Sequence, residues 1–589
     1  MTAKVIVLQV GAGIQRDGTT FAAPSYVDGQ WVRFQYARPR KIGGYKGVFL
    51  NGTNISRGMI MSAVDGLNYV ISGYEDGIEV WTTDNDDGVG FGPTQFTLSG
   101  FTSSPKNLWQ FDIGYDALGN GKNNLIAHPG QNLNDITSTV NTRPLYGDFT
   151  GTTLAPVGVF TADGTLTSGS STVTFASTIA AIGAGLAVTG TGIPANTTVV
   201  SALEVAGIWT VTLSHNATAS GLKTLTFDNN VSVSGGVVML YPYLFVYGNN
   251  GLIKNCAAGD FNNWTSADSN ENNVASVKVV KGLPVRGGTT SPSGLFWTLD
   301  SVIRVTYAPT TVGTATLYWR YDLVTQQSSI MSSQCVIEYD GIFYWVGTDR
   351  FLMYTGVVQE VENKQNFNYF FDNLNYSQRQ KVWVSKVPRW GEIWWFFPSG
   401  YSEECNDAII YNIRDKVWYD AGQAMGARRS AGVFSEVFLK PIWSGWEENQ
   451  ALGRTLWQHE TGTDEVFTNK VNAIDSYFET NVIGARTGLV GAAEQPGDNV
   501  WTRCERIEPD FVQVGEMTVV VTGNGYADDP PQDSSPYIFD PDTLKVDMKE
   551  QRREMRLRFR SNTQNGDYFM GRVLPVSYTH LRAHETRED

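Results

Sequence analysis

Short apolar segments separated by polar turns recur along most of this chain. In each of them an aromatic or aliphatic run is followed by a turn of glycine, asparagine or aspartate, and a second apolar run comes after the turn. This pattern is typical of β-hairpins, because glycine and asparagine adopt the backbone angles that tight turns require. The clearest examples are LNYVISGYEDGIEVWTT at 67–83, YLFVYGNNGLIKNC at 243–256, GLFWTLDSVIRVTY at 294–307, GIFYWVGTDRFLMYTG at 341–356, and the segments at 392–422 and 440–462.

The spacing of these hairpins predicts a repeated β architecture. In the later part of the chain they recur about every 45 to 50 residues, which is the length of a propeller blade with four strands. The run IWWFF at 393–397 does not alternate with polar residues, which predicts strands buried on both faces. We therefore predict an all-β fold built on a β-propeller, with a set of stacked β-sandwiches as the alternative.

Changes in composition predict five parts in the chain. We expect an N-terminal arm with the first strands at 1–50 and the propeller at 51–475. Residues 161–227 are rich in threonine, valine, serine and glycine and nearly lack aromatic residues, which predicts a small β domain inserted into the propeller. A C-terminal β domain is predicted at 476–575. The segment at 576–589 has no β pattern and resembles a translated sequencing adapter, so we expect it to be an artefact that replaces the natural C-terminus.

The net charge and the spacing of the cysteines argue against several classes of function. A net charge of −15 over 589 residues argues against a protein that mainly grips duplex DNA, although DNA can still pass along an acidic wall. The four cysteines lie at least 70 residues apart, so no metal or redox motif is formed by their spacing. The apolar run at 5–10 is too short for a signal sequence, and no longer stretch predicts a membrane span.

Motifs for cofactors and catalysis fail at specific positions. In VIVLQVGAGIQRDG at 5–18, Arg16 stands where a dinucleotide-binding fingerprint needs its third glycine. Asn123 stands where a phosphate-binding loop needs serine or threonine, and Thr94 stands where a calcium loop that includes the acidic run at 84–87 needs a glutamate. We therefore predict no enzyme, no cofactor and no metal site. A carbohydrate-processing propeller with paired carboxylates is the alternative.

Two basic clusters stand out against the acidic background. The segment WVRFQYARPRKIGGYKG at 31–47 mixes cations with aromatic residues, which favours docking onto an acidic protein, with nucleic-acid contact or a solvated strand as alternatives. The segment REMRLRFRS at 553–561 places alternate arginines on one face of a strand, where they form cross-strand ion pairs or subunit contacts. The candidate docking residues are Trp31, Arg33, Phe34, Tyr36, Arg38, Arg40, Lys41 and Tyr45, and the strand arginines are Arg556, Arg558 and Arg560.

Three segments resemble one family of phage proteins. The sequence GIQRDGTTFAAPSYVDGQWVRFQYARPRKIGGYKGV at 13–48 and the hairpins at 243–264 and 341–356 are similar to the tail hub or nozzle proteins of short-tailed bacteriophages, also called packaged-DNA stabilisation or tail accessory proteins. The segment at 161–227 resembles a small β module that is inserted into many phage structural proteins. The resemblance transfers no catalytic residue.

This resemblance implies a structural role in the virion tail. The family forms a six-fold ring of identical subunits below the portal and adaptor proteins, after assembly in the host cytoplasm. Such a ring would continue the DNA channel, contact viral DNA transiently, help to retain packaged DNA and carry tail fibres or tailspikes. A fibre-type or receptor-binding tail protein is the alternative, and it would form a trimer with affinity for glycans.

Overall fold

The computed structural model is all-β, as the hairpin pattern predicts. The chain divides into two compact units, Asn51–Glu360 and a second unit formed by Met1–Leu50 with Val361–Asp589. The helices of the described residues are the α-helix Phe367–Asn373 and the short 3-10 helices Asn249–Gly251, Tyr376–Lys381 and Met425–Ala427. The structure describes residues 4–5, 8, 10–20, 23–64, 66–83, 92–101, 108–130, 140–285, 292–313, 315–434, 436–447, 454–483, 502–524 and 529–579.

The unit Asn51–Glu360 contains five antiparallel sheets that follow one another along the chain. Each is a meander of four strands, and sheet 2 has the additional short strand Thr97–Leu98 parallel to its last strand. Sheet 1 comprises Gly58–Val64, Leu67–Tyr74, Gly77–Thr83 and Thr94–Gln95; sheet 2 comprises Gln110–Tyr115, Asn123–His128, Leu145–Asp148 and Thr153–Pro156. Sheet 3 comprises Gly236–Leu240, Tyr243–Tyr247, Leu252–Asn255 and Asn270–Asn273; sheet 4 comprises Val279–Pro284, Ser293–Thr298, Val302–Val312 and Ala315–Thr325; sheet 5 comprises Val336–Tyr339, Ile342–Val346, Phe351–Tyr354 and Val358–Glu360.

Turn chemistry explains why these strands pair as hairpins. Between the first two strands of sheet 5, Asp340 and Gly341 have φ angles of 52° and 79°. A two-residue hairpin turn of this kind needs a positive φ at both positions, which aspartate tolerates and glycine adopts without strain. The Asp-Gly pair therefore sets the register of this hairpin.

The first strands of sheets 1 to 4 lie side by side in chain order. Trp109 N donates to Arg57 O at 3.1 Å, and Gln110 Nε2 donates to Gly235 O at 2.9 Å. This close approach depends on glycine at the start of sheet 1, because a Cβ atom on Gly58 would lie 2.4 Å from Trp109 O. Within this unit sheets 1 to 4 are therefore joined along their first strands.

A closed six-stranded barrel interrupts the series between sheets 2 and 3, and the predicted insertion at 161–227 falls within it. Its core is built from aliphatic side chains and two buried phenylalanines, Phe175 and Phe227. The first and last strands pair with each other, with Val159 opposite Asp228. The barrel strands are Val159–Leu166, Thr172–Phe175, Ala187–Gly190, Thr197–Val205, Ile208–Leu213 and Gly221–Asp228.

The second unit contains two further meanders. Their first strands pack against each other, and every residue of the strand Glu392–Phe397 is buried, as the continuous apolar run predicts. In sheet 7 the strand Tyr45–Gly52 lies next to the third strand, followed by two short strands. Sheet 6 comprises Trp383–Val387, Glu392–Phe397, Asp407–Asn412 and Val417–Asp420; sheet 7 comprises Arg429–Phe434, Pro441–Gly445, Arg454–His459, Tyr45–Gly52, Glu465–Phe467 and Lys470–Asn472.

The remaining strands of this unit combine the two ends of the chain. The long strand Val546–Ser561 pairs with three other strands, Thr502–Glu508, Ser476–Glu479 and Met517–Asn524. The strand Leu574–Thr579 extends into the segment predicted to be an adapter artefact. Residues 580–589 of that segment lie outside the described residues. The acidic run at 84–87 lies outside them as well. The nine-stranded sheet also includes Lys4–Val5, Asp28–Gln30, Gln532–Asp533 and Tyr537–Phe539; a four-stranded sheet comprises Phe511–Val514, Asp567–Met570, Arg38–Lys41 and Val32–Gln35; a pair comprises Gly11–Ile14 and Ser25–Tyr26.

Candidate functional site

The candidate docking segment at 31–45 forms a hairpin whose side chains lie mainly inside the protein. Its strands Val32–Gln35 and Arg38–Lys41 pair antiparallel within the four-stranded sheet. Of the eight candidate residues, Arg40 is half-buried, and only Tyr36 and Arg38 are exposed. The remaining five candidates are buried against other parts of this chain and are not available for a partner: Trp31, Arg33, Phe34, Lys41 and Tyr45.

Arg33 is the centre of a buried ion cluster. Its Nη1 and Nη2 atoms donate to the two carboxylate oxygens of Glu460 at 2.8 and 2.6 Å, and Nη2 also donates to Glu392 Oε2 at 3.1 Å. The guanidinium lies over the ring of Trp390, 4.6 Å from its centroid. Paired donors of this kind match the planar geometry of arginine. Arg33 therefore ties the hairpin to sheets 6 and 7.

The two carboxyl groups of this cluster have opposite pKa shifts. Burial opposes the charged form of Glu460, but the adjacent Arg33 guanidinium outweighs burial and holds the pKa of Glu460 below its usual range. Burial dominates for Glu392, and it raises the pKa of that carboxyl despite the same arginine. Tyr419 OH donates to Glu392 Oε1 at 2.7 Å. The cluster is thus fully engaged within the chain.

Lys41 and Arg40, two other cations of the hairpin, also make contacts within the chain. Lys41 Nζ donates to Gly566 O at 2.8 Å, and burial lowers the pKa of Lys41. Arg40 lies over the Trp390 ring, 4.8 Å from the centroid, and its Nη1 donates to Gln35 Oε1 at 3.0 Å. A basic face on this hairpin is therefore limited to its turn.

The turn presents an exposed tyrosine on an unusual backbone. Tyr36 and Ala37 have φ angles of 52° and 61°, and the Tyr36 side chain is 78% exposed. Residues other than glycine and asparagine rarely adopt a positive φ, and such positions concentrate at functional sites. Together with Arg38, this turn forms the candidate interaction site of the segment.

Arg16 fastens the segment before the hairpin, a role that sequence reasoning missed. Its Nε and Nη2 atoms donate to the Asp420 carboxylate at 3.0 and 2.9 Å, and its Nη1 pairs with Asp28. The neighbouring Asp17 accepts from the backbone N–H groups of Asn368 and Tyr369, both at 2.8 Å, at the start of the α-helix. In the sequence, Arg16 only showed that a glycine motif is incomplete. No local pattern indicates its contact with Asp420, which lies 404 residues later.

A second carboxyl lies beside this contact. Tyr369 OH donates to Asp407 Oδ2 at 2.5 Å. Burial, together with the nearby charge of Asp420, raises the pKa of Asp407 to about 8. Asp407 therefore carries a proton at neutral pH, while Asp420 is paired with Arg16.

The three strand arginines form ion pairs across strands. Arg558 lies 2.7 Å from Glu479 and Arg560 lies 2.6 Å from Asp475, and both acids are on or next to the adjacent strand Ser476–Glu479. Arg556 contacts the same Glu479 carboxylate at 3.2 Å. Glu479 thus serves two of the three arginines.

A pocket of about 230 Å³ lies at sheet 7, and Tyr45 of the candidate docking segment lines it. Its walls combine aromatic rings with cations and carboxylates. Tyr45 OH donates to Glu465 Oε2 at 2.7 Å, and Arg428 pairs with Glu447 at 2.6 Å. The pocket lining includes Tyr45, Met425, Arg428, Arg429, Trp457, Phe467 and Lys470.

The comparisons with known proteins add no assignment. No family model and no curated protein matches the chain. Within the described part of the chain, no helix has the length and apolar character to cross a bilayer. In the same residues, no group of three or more histidine, cysteine, aspartate or glutamate side chains is arranged to hold a metal ion.

Proposed function

We propose that the chain is a structural subunit of a phage tail, forming a six-fold ring below the portal and adaptor. In this role it continues the DNA channel, helps to retain packaged DNA and offers attachment for fibres or tailspikes. The observation that carries the proposal is the anchoring of the segment at 13–48, which resembles the N-terminal region of the tail hub family. Arg16 and Arg33 bind this segment to carboxylates more than 350 residues later in the chain.

We further propose that sheets 1 to 7 are the blades of one closed β-propeller. Each sheet contains a meander of antiparallel strands, and the first strands of sheets 1 to 4, like those of sheets 6 and 7, pack side by side. The strand Tyr45–Gly52 precedes sheet 1 in the sequence but completes the four-stranded part of sheet 7. A strand shared in this way joins the last blade to the first, which removes free sheet edges.

A closed propeller suits a part that resists force during DNA ejection. Its sheets are supported on both faces, and strand edges that would otherwise recruit other chains are covered. The net charge of −15 supports a channel wall along which DNA slides without adhering.

The tail proposal is tested by mixing the chain with an adaptor protein of a short-tailed phage. We expect negative-stain electron microscopy to show six-fold rings when the two proteins are mixed. A chain that stays monomeric or trimeric in the presence of adaptor and portal would overturn the proposal. Turnover of a polysaccharide, abolished by one carboxylate substitution, would favour the enzymatic alternative instead.

The exposed turn offers a matched pair of variants for the same assay. We expect Tyr36→Ala to lower the fraction of chains in rings, because Tyr36 is an exposed aromatic anchor on a strained turn. Tyr401→Ala removes another exposed tyrosine and serves as the control. Equal ring yields for the two variants would exclude the turn as a contact.

A further inference from the structure

Arg429 differs from the other buried arginines of its unit. It is only 4% exposed, and its Nη2 atom is buried without a hydrogen-bond partner among the described residues. Arg33 and Arg556, which are equally buried, each contact a carboxylate. Buried charges are normally paired, because an uncompensated ion loses its hydration without replacement.

The hydrogen bonds of Arg429 do not reach a carboxylate, and burial lowers its pKa although the nearby charges of Glu465 and Glu447 act against that shift. Its Nε donates to His459 Nε2 at 3.0 Å, and Nη1 donates to the backbone oxygen of Arg428 at 3.0 Å. Burial, and then the charge of Arg429, lower the pKa of His459, so that ring is a neutral acceptor. The guanidinium lies over the rings of Tyr45 and Trp457, 4.9 and 5.3 Å from their centroids.

The acids that line the pocket already have partners. Glu465 accepts from Tyr45 OH and from Asn472 Nδ2, the latter at 3.0 Å. Glu447 pairs with Arg428. Lys470, an exposed residue at the rim, has no ion-pair partner in the described part of the chain. The pocket is lined by three cations, Arg428, Arg429 and Lys470, and by two carboxylates, Glu447 and Glu465, so its net charge is positive.

The composition of the pocket favours a protein ligand. Six of its lining residues are tyrosine, tryptophan, phenylalanine, methionine or arginine, the types enriched at the core of protein interfaces. Met425 at its rim is 45% exposed, and Trp457 and Phe467 are half-buried. A volume of about 230 Å³ suits one or two side chains and not an extended oligosaccharide.

We propose that this pocket docks an acidic segment of a protein partner, with a glutamate or aspartate carboxylate bound by Arg429 and Lys470 and apolar neighbours against Trp457, Phe467 and Met425. The carboxylate would form an ion pair with the Arg429 guanidinium, as Glu460 does with Arg33. The site does not depend on the tail proposal, since it is defined by the chemistry of the pocket alone.

The test is titration of the full chain with N-acetyl-L-glutamate methylamide, followed by isothermal calorimetry or ligand-observed NMR. We expect saturable binding that weakens with added salt and is absent for the uncharged glutamine analogue. Lys470→Gln should weaken binding about threefold and Arg429→Gln about tenfold, because a hydrogen bond to a charged group contributes on the order of 1.5 kcal/mol. Lys416→Gln, which removes another exposed lysine, should bind as the unaltered chain does.

Two results would overturn the site. One is the absence of saturable binding, or binding that Lys470→Gln leaves unchanged; this variant lies at an exposed position, so the test does not depend on whether Arg429→Gln folds. The other is tighter binding of inorganic phosphate or D-glucuronate with the same dependence on Lys470, which would assign the pocket to a phosphate group or an acidic sugar. Ring assembly with the adaptor is measured separately, so either proposal can fail alone.

Discussion

At the scale of single residues, Arg33 links the hairpin to two acids from distant parts of the chain. We expect Arg33→Leu to lower the free energy of unfolding by about 3–5 kcal/mol, because it leaves a buried carboxylate without its countercharge. Urea unfolding followed by tryptophan fluorescence measures this loss. Adding Glu392→Gln to the variant should recover part of it, since the two residues form one network.

Arg38→Leu is the matched control for this experiment. Arg38 lies in the same hairpin but is exposed, so its replacement should change the free energy of unfolding by no more than about 0.5 kcal/mol. A small effect of both substitutions would contradict the assignment of Arg33 as a buried structural ion.

Asp407 makes the stability of the protein depend on pH. An aspartate in an unfolded chain has a pKa of about 3.9, whereas in the folded protein the pKa of Asp407 is raised to about 8. The folded state therefore holds a proton that the unfolded state has lost, and the contribution of Asp407 to stability falls as the pH rises from about 4 to 8. An asparagine side chain has no such proton to lose, so Asp407→Asn removes this dependence.

We expect Asp407→Asn to become progressively more stable relative to the unaltered chain between pH 5 and pH 8, by a few kcal/mol at most. Urea unfolding at four pH values measures the difference. Asp415→Asn, at an exposed turn in the same sheet region, is the control. A constant difference at every pH would mean that Asp407 is already ionised in the folded protein.

The sequence identified the chemical character of the segment at 31–47 but not its environment. Alternation of cations and aromatic rings is compatible with a docking surface and also with a buried cluster whose acids come from elsewhere. For Arg33 those acids are Glu392 and Glu460, and for Arg16 the acid is Asp420. A separation of several hundred residues leaves no local pattern, so only the folded chain distinguishes the two arrangements.

At the scale of elements, the hairpins were predictable because their signals are local. Each of the six segments chosen from the apolar pattern contains paired antiparallel strands. The partners of Thr502–Glu508 and Ser476–Glu479 were not predictable, since both pair with one long strand 39 or more residues later. Alternation within a strand shows which face is apolar but not which strand lies beside it.

The barrel at Val159–Asp228 should fold by itself. Its first and last strands pair along their whole length, and its core is formed by its own side chains. We expect the excised segment to give a β-type circular dichroism spectrum with a cooperative thermal transition. The chain in which a short Gly-Ser linker replaces the segment should stay soluble and folded, because Val159 and Asp228 are direct neighbours.

Removal of sheet 4, Val279–Thr325, is the control for this deletion. Its first strand packs against the first strand of sheet 3, so its loss exposes apolar surface and should give an insoluble protein. An unfolded barrel fragment together with an insoluble barrel deletion would contradict the independence of the barrel.

At the scale of the whole molecule, the repeat of hairpins predicted many sheets but not how the series ends. The decisive element is Tyr45–Gly52, which has the composition of an ordinary N-terminal strand and yet belongs to sheet 7. This strand pairs with Glu465–Phe467, which lies about 420 residues later in the sequence. Those contacts have no signature in the local sequence.

We propose that sheets 1 to 7 each contribute four strands to one propeller within a tail ring. The most direct measurement is a cryo-electron microscopy map of the chain assembled with its adaptor. The claim predicts seven blades around one axis in every subunit, with Tyr45–Gly52 as the fourth strand of the seventh blade. Two separate stacks of sheets, or a seventh blade completed without this strand, would contradict it.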